Sequence, residues 1–501
     1  MTGKVYLVGA GPGDPALLTL KAQQYLKIAD VVLHDRLVDK RILALASPHC
    51  EIIDVGKSRD TVNFTQDVIN GMLIELARSG KQVVRIKGGD PLIFGRGSEE
   101  ALELYNSNIA FEIIPGISSI TGVPAYAGIP LTHRGVSSGF TVVNGSTGSG
   151  GTHFDWAAVA KLNHTLVIVM GWQDLKNNIE SLIAHGKPST TPIALIQWGT
   201  FPYQKTVTGT LDTILHQAQD SDLTPPIITI IGEVVLLRDP IRWYDNRPLS
   251  NKRILITRDK FESHTLSQML LEHGANPVEL PTIEFSPPKS YQEFDEILEN
   301  IHRYDWIVFT SVHGVRGLFD RMHMQGKDAR HLQNVQICCI GSATASQTEA
   351  YGILPDFVPE KYSSEDLLEA FSSFEVSGKS ILLPRSDIAT SDLPQGLAKI
   401  GATVTELVTY QNLIPEESKD HAATIFEEPI DIAIFASSSS VINLMKLLDG
   451  NADALTNTYI ACIGPVTAKT AQQYGLSVDL IPEEHTLQGV IDSIEMFVKY
   501  K

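Results

Sequence analysis

The chain has 501 residues and a formal net charge of −18, with 43% hydrophobic and 20% charged residues. That length suits three or four domains, and the composition excludes disordered, collagen-like and low-complexity chains. No stretch approaches 18 uncharged apolar residues, which excludes a membrane-spanning helix, and the acidic balance argues against nonspecific nucleic-acid binding. From the N-terminus, MTGKVYLVGAGPGD runs straight into a strand, VYLVGA, and a glycine turn, with no apolar signal core or cleavage site. Asp14 and Pro15 then open a helix, as N-cap and first-turn proline, through Leu17, Leu18 and Leu26. VVL (31–33), VVRIKG (83–88), TLVIVM (165–170) and IITIIG (227–232) read as further buried strands. Their alternation with helical patterns predicts an α/β unit.

A break falls in DNRPLSNKRILITR, where Asp245, Asn246, Pro248 and Ser250 are turn formers and a fresh strand starts at Ile254. Residues 1–248 hold 21 Lys+Arg against 23 Asp+Glu, a net of −2, which leaves −16 on the rest. Beyond the break four blocks recur in order: KRILITR at 252 as KSILLPR at 379, GANPVEL at 274 as GATVTEL at 401, DWIVFTS at 305 as DIAIFAS at 431, and CCIGSATA at 338 as ACIGPVTA at 461. Residues 252–501 are therefore expected to form two similar lobes, each a parallel sheet covered by helices. FTSVHGV, FASSSSV, IGSATA and IGPVTA would lie at the carboxyl ends of the strands, where ligands of such sheets bind. The four cysteines (Cys50, Cys338, Cys339, Cys462) lack metal or disulfide spacing and read as reduced core residues of a cytoplasmic protein.

Three motifs of the first half carry chemistry. GAGPGD (9–14) lets backbone N–H groups approach a ligand, but Gly9, Gly11 and Gly13 miss the dinucleotide fingerprint, whose third glycine comes one position later. The motif alone leaves a nucleoside ligand and a structural turn open. VVRIKGGDPLIFGRG (83–97) ends a strand in Gly88-Gly89-Asp90, with Asp90 able to accept from a hydroxyl or amine. PGISSITGVPAYAGIPLTHRG (115–135) is a run of small residues that suits a flat, adenine-like group.

On these blocks, together with ADVVLHDRLV, VIVMG and IGEVVLLRD, residues 3–243 resemble the uroporphyrinogen-III C-methyltransferases of the tetrapyrrole methylase superfamily. The resemblance implies a two-lobed fold, with lobes of about 1–114 and 115–246, that binds S-adenosylmethionine in a cleft. It assigns cofactor contacts to Pro12, Gly88, Gly89, Asp90, Ile93, Ser118, Ser119, Met170 and Gly199. Asp35 would be the proton acceptor and Lys57 the proton donor. The substrate carries eight carboxylates, so Arg36, Arg96, His133 and Arg134 are candidate cations, as are His34 and Arg59; a solvated surface or local ion pair is the alternative for each. The stretch SRDTVNFTQ has Val62 where the family usually carries a histidine, and TGSGGTH (147–153) has no assigned role.

Residues 252–501 resemble uroporphyrinogen-III synthase through ILITR, FTSVHGVRGLFD, CCIGSATASQTEAYGILPDFVPEKYSSEDLLEAF, ILLPRSDIATSDLPQGLAKIGATVTELVTYQ and IACIGPVTAKTAQQYGL. The resemblance implies lobes that exchange elements, 252–284 with 412–501 and 286–410, after a linker at 247–251. It implies cyclisation of hydroxymethylbilane with inversion of ring D, with Tyr410 as candidate general acid or, alternatively, a packed connector. Arg258, Ser311, Ser437, Ser438 and Thr467 are the candidate substrate contacts. The resulting expectation is a bifunctional cytoplasmic enzyme of two α/β halves that makes uroporphyrinogen III and methylates it twice, to precorrin-2. It would serve sirohaem or cobalamin supply, as a homodimer through the first half, with no metal, nucleic acid or membrane. The alternative is a methyltransferase of another substrate with a ligand-sensing second half.

Overall fold

The structure is a computed structural model that describes residues 3–56, 64–146, 155–359, 364–374, 376–389 and 391–501. The chain divides into two compact units, Met1–Lys252 with Leu271–Asn276, and Arg253–Leu270 with Pro277–Lys501.

The first unit holds two five-stranded sheets. Strands β1 (Lys4–Gly9), β2 (Val31–His34), β3 (Glu51–Asp54), β4 (Gln82–Lys87) and β5 (Phe111–Ile114) pair in the order β3-β2-β4-β1-β5, all parallel. Side chains alternate across a strand: Val5, Leu7, Val31, Leu33 and Val83 enter one core, and Tyr6, Val8, Val32, Val84 and Ile86 the other. Burial on both faces explains why these strands read as unbroken apolar runs. Asp14 caps a turn as expected, its carboxylate accepting from the Ala16 N–H. That turn is only the 3-10 segment Pro15–Leu17; Leu18 is extended, and Thr19 caps a separate helix, Leu20–Ile28.

Strands β6 (Phe140–Asn144), β7 (Thr165–Val169), β8 (Pro192–Gln197), β9 (Lys205–Thr210) and β10 (Ile227–Ile231) form the second sheet, ordered β6-β7-β10-β8-β9. Only β6 and β7 run parallel; β10 is antiparallel to both neighbours, and β8 to β9.

The second unit contains β11 (Arg253–Ile256), β12 (Asn276–Glu279), β13 (Glu284–Ser286), β14 (Trp306–Phe309), β15 (Gln336–Cys339), β16 (Ser380–Ser386), β17 (Thr403–Leu413), β18 (Ile432–Phe435), β19 (Tyr459–Cys462) and β20 (Val478–Leu480). One sheet is β12-β11-β18-β19-β20 and the other β13-β17-β16-β14-β15. The sequence repeats thus occupy equivalent places, but each sheet takes its first two blocks from one copy and its last two from the other. The hydrogen bonds repeat as well. Asp305 accepts the Ser380 N–H and Asp431 the Arg253 N–H, both at 2.8 Å; Asp356 accepts from Ile337 and Asp479 from Ile460, at 2.7 and 2.8 Å. The sheets are not wholly parallel, because the edge strand β13 runs antiparallel to β17, pairing Glu284 with Leu413 and Ser286 with Gln411.

The Ser380 N–H and the Lys379 ammonium, 2.9 Å away, hold the Asp305 carboxyl below the usual aspartate range. A depressed pKa in the folded state stabilises above the unfolded value and is lost as pH falls through the folded one. Asp305→Asn keeps an acceptor for Ser380 but loses the charge. Urea denaturation of the variant between about pH 5 and pH 3 is expected to give a shallower loss of stability than the parent.

Candidate functional site

The cavity of the first unit is built on glycines. Past β1 and β4, Gly11 and Gly89 donate backbone N–H groups to each other's carbonyls at 3.2 and 2.7 Å, and the Ala10 N–H donates to the Lys87 carbonyl at 2.8 Å. Gly11 and Gly89 have φ of +78° and +69°, where a side chain is strained. A third loop closes on them: a Cβ on Gly116 would lie 2.3 Å from the Gly89 carbonyl oxygen, and one on Gly9 2.5 Å from the Gly116 nitrogen. The Asp90 carboxylate ties the arrangement together, accepting the Leu92 and Gly116 N–H groups at 2.8 and 3.1 Å.

A cavity of about 600 Å³ opens beside these loops and reaches the ends of the second sheet. Of the sequence-predicted cofactor contacts, Pro12, Gly88, Gly89, Ser119, Met170 and Gly199 line it; Asp35, Arg36 and Arg96 line it as well. Met170 has φ of +55°, and a Cβ on Gly199 would meet Val123 at 2.3 Å, so bare backbone forms part of the wall. Asp90, Ile93 and Ser118 are not in the lining; Ser118 caps the helix Ser119–Tyr126 instead. His133 and Arg134 line a separate shallow pocket with Asn163. Lys57, Arg59, Val62 and residues 147–153 lie outside the described residues.

Sequence reasoning missed the charged wall of this cavity. Arg85 and Lys87 project from β4 on one face, with side chains 2% and 4% exposed. Arg85 donates to the Asp35 carboxylate, and its Nε lies 3.1 Å from Glu100 Oε1. Lys87 Nζ is 2.9 Å from Glu100 Oε1 and 3.8 Å from Asp35 Oδ2. Glu100, on the helix Gly97–Asn106, is fully buried; Gln66 also donates to its Oε1, and its Oε2 has no partner among the described residues. Two cations and two carboxylates therefore balance, with Asp35 the most exposed, at 35%. The signal was present in VVRIKG: two cations at alternate positions of an otherwise apolar central strand demand buried counter-charges. Arg96 makes a two-pronged pair with Glu99, at 2.9 and 2.7 Å.

In the second unit Ser311 and Ser437 are equivalent helix caps, with φ, ψ of −156°, 154° and −158°, 158°, accepting from Gly314 and Ser440 at 3.0 and 3.2 Å. The Tyr410 hydroxyl, on β17, lies 3.1 Å from Ser311 Oγ. Beside it the His313 ring stacks on Phe285 with centroids 3.6 Å apart. Burial pushes the His313 pKa down, against the pull of Asp259 and with the help of Arg316, so this imidazole is neutral at physiological pH. Ser438 accepts from the Thr470 hydroxyl at 2.8 Å, and Thr467 is buried in the helix Pro465–Gln473. Arg258 lies just past β11, and Arg385 pairs with Glu406 at 2.9 Å.

Residues 4–215 match the family model "Tetrapyrrole (Corrin/Porphyrin) Methylases", and residues 264–492 match "Uroporphyrinogen-III synthase HemD". A porphyrin biosynthesis protein HemD of Ruminiclostridium josui is 34% identical over 98% of this chain and 97% of its own length. The chain belongs to the tetrapyrrole methylases in its first half and to the uroporphyrinogen-III synthases in its second. A uroporphyrinogen-III C-methyltransferase of Bacillus subtilis is 37% identical over 70% of this chain and 72% of that protein. A siroheme synthase of Nitrosomonas eutropha is 47% identical over 49% of this chain and 51% of its own length. Among solved structures, a uroporphyrin-III C-methyl transferase from Thermus thermophilus is 41% identical with a TM-score of 0.41, covering 47% of this chain and all of that one. A mutant uroporphyrinogen III synthase from Thermus thermophilus is 18% identical with a TM-score of 0.41, covering 50% of this chain and all of that one. Among the described residues no helix is long and apolar enough to cross a membrane.

The glycine contacts in the methylase half yield a direct test. Gly116→Ala places a methyl against the backbone of Gly89 and Gly9. It is expected to cost about 1–3 kcal/mol of stability, read as a lower thermal midpoint, whereas Gly71→Ala, on an exposed helix face with nothing within 4 Å, is not.

Proposed function

We propose that the methylase half transfers two methyl groups from S-adenosylmethionine to uroporphyrinogen III, giving precorrin-2, and that the synthase half makes this uroporphyrinogen III from hydroxymethylbilane with inversion of ring D. The observation that carries the reading is the Asp35 carboxylate, held by Arg85 in the same cavity as the Gly11–Gly89 loops. The bare backbone of Gly88, Gly89 and Gly199 suits a nucleoside-sized donor, which supplies an activated methyl on its sulfonium. Pro12, Ser119 and Met170 complete its wall. Asp90 and Ser118 act one step behind, by fixing the loops.

With the donor bound, a pyrrole carbon of the macrocycle would take the methyl as the S–CH3 bond breaks and S-adenosylhomocysteine leaves, and the ring would then shed a proton. Asp35 takes it, as general base. Arg85 orients that carboxylate through a charge-assisted bond. Arg36 and Arg96 meet substrate carboxylates, Arg96 by exchanging its Glu99 partner; His133 and Arg134 meet a carboxylate extending beyond the cavity, and Lys57 returns a proton. In the synthase half the Tyr410 hydroxyl protonates the terminal hydroxyl of the bilane, which leaves as water. Ser311, Ser437, Ser438 and Thr467, with Arg258, receive the propionates and acetates at the helix N-termini. The functional halves are 1–246 and 252–501 about a linker at 247–251, and the enzyme works in the cytoplasm as a homodimer through its methylase half.

Incubation with hydroxymethylbilane and labelled S-adenosylmethionine is expected to give a doubly labelled isomer III product; isomer I alone would overturn the synthase assignment. Asp35→Ala is expected to lower methyl transfer by about 10²-fold or more while isomer III still accumulates unmethylated. Conversely, Tyr410→Phe is expected to slow isomer III formation by about 10²-fold and leave methylation of supplied uroporphyrinogen III at the parent rate.

A further inference from the structure

Glu100 is the one member of the buried charge cluster that is wholly inaccessible, and it does not line the cavity. All three of its donors, from Arg85, Lys87 and Gln66, converge on Oε1 at 3.1, 2.9 and 3.2 Å, and Oε2 has none among the described residues. The Glu100 carboxylate spends its charge on the two cations that also face Asp35.

We propose that Glu100 is a positioning residue that sets the proton affinity of Asp35 through Arg85 and Lys87; this rests on the reading of Asp35 as the proton acceptor. The Glu100 carboxylate shares Arg85 and Lys87 with Asp35 and so tempers their pull on it. Without that charge, both cations act on Asp35 alone, stabilise its carboxylate and weaken it as a base. Without Lys87, one cation 3.8 Å from Asp35 is gone and the carboxylate becomes a stronger base.

The other charged groups near Asp35 are the same in the parent and in both variants. His34 and Arg36 flank it in sequence, and the His34 ring nitrogen Nδ1 lies 3.1 Å from the Asp35 carbonyl. Asp54, on the adjacent β3, accepts the Gly56 N–H at 2.7 Å. Asp39 pairs with Arg41, and Arg96 with Glu99. Asp67 lies on the first turn of the helix Gln66–Arg78. Lys57, Arg59 and Asp60 lie outside the described residues.

The test is the pH dependence of methyl transfer to uroporphyrinogen III in the full-length protein, by single-turnover mixing from neutral pH so that acid instability does not intrude. Glu100→Gln is expected to move the acid limb down by about half a pH unit, and Lys87→Met to move it up by about one. Loss of packing alone lowers the rate without moving the limb, and it cannot move it in opposite directions. Limbs that coincide with the parent's, or that shift the same way, overturn the proposal. Should Glu100→Gln not fold, the double variant Lys87→Met with Glu100→Gln removes one charge of each sign and carries the test. Its limb is expected between those of the parent and of Lys87→Met, and a limb at or above the Lys87→Met position overturns the proposal. An Asp35→Asn enzyme that keeps the parent's rate and limb overturns the underlying reading; an inactive Asp35→Asn with unmoved limbs in the other variants overturns this proposal alone.

Discussion

Two backbone hydrogen bonds between Gly11 and Gly89 hold the methylase cavity together. They join the loops that leave β1 and β4, adjacent strands of one parallel sheet. Parallel strands deliver their carboxyl ends to the same rim, so pinning two of these ends fixes the positions of Pro12 and Gly88, while Asp35, on the loop that leaves β2, is tied to β4 by its own N–H, which donates to the Ile86 carbonyl at 3.4 Å. The third loop, at Gly116, packs so closely that its neighbours must lack side chains. The small residues of the first three sequence motifs are thus a single requirement, that three backbones meet within van der Waals contact.

Much of this was legible in the sequence, since glycine and proline announce what the backbone must do locally. The loops after VYLVGA and VVRIKG, the Asp14 cap and the strand cores appear where side-chain type and spacing place them. The charged wall was not legible as an ensemble. Arg85 reaches Asp35 across 50 residues and Glu100 across 15, and no local pattern encodes such pairings. Strand direction in the second sheet was hidden for a different reason. TLVIV and IITII are buried on both faces, and an apolar run looks the same whichever way its neighbours point. LTHRG reads as part of the site, yet a turn closed by the mutual hydrogen bonds of His133 and Ser137 puts His133 and Arg134 in a pocket of their own.

The synthase half shows how a repeat can be read correctly and still mislead about architecture. The four blocks recur in order, which taken alone suggests one lobe per copy. In the structure the blocks are re-sorted, so that β11 and β12 pair with β18 and β19, and β16 and β17 with β14 and β15. What makes either pairing sound is the equivalence of the parts. Asp305 and Asp431 receive the same backbone N–H at the same distance, and Ser311 and Ser437 cap with nearly the same dihedral angles.

That re-sorting imposes an order on how the protein is born. The hydrogen bond between the Arg253 N–H and Asp431 spans 178 residues, so β11 leaves the ribosome long before β18, its neighbour in the sheet. At about 5–20 residues per second, an apolar strand edge waits roughly 10–35 s for its partner. The sheet β13-β17-β16-β14-β15, whose strands all lie within that interval, completes itself first. The nascent chain therefore carries an open β-edge for about a third of its translation, and until β18 arrives that edge is a template for pairing with other chains.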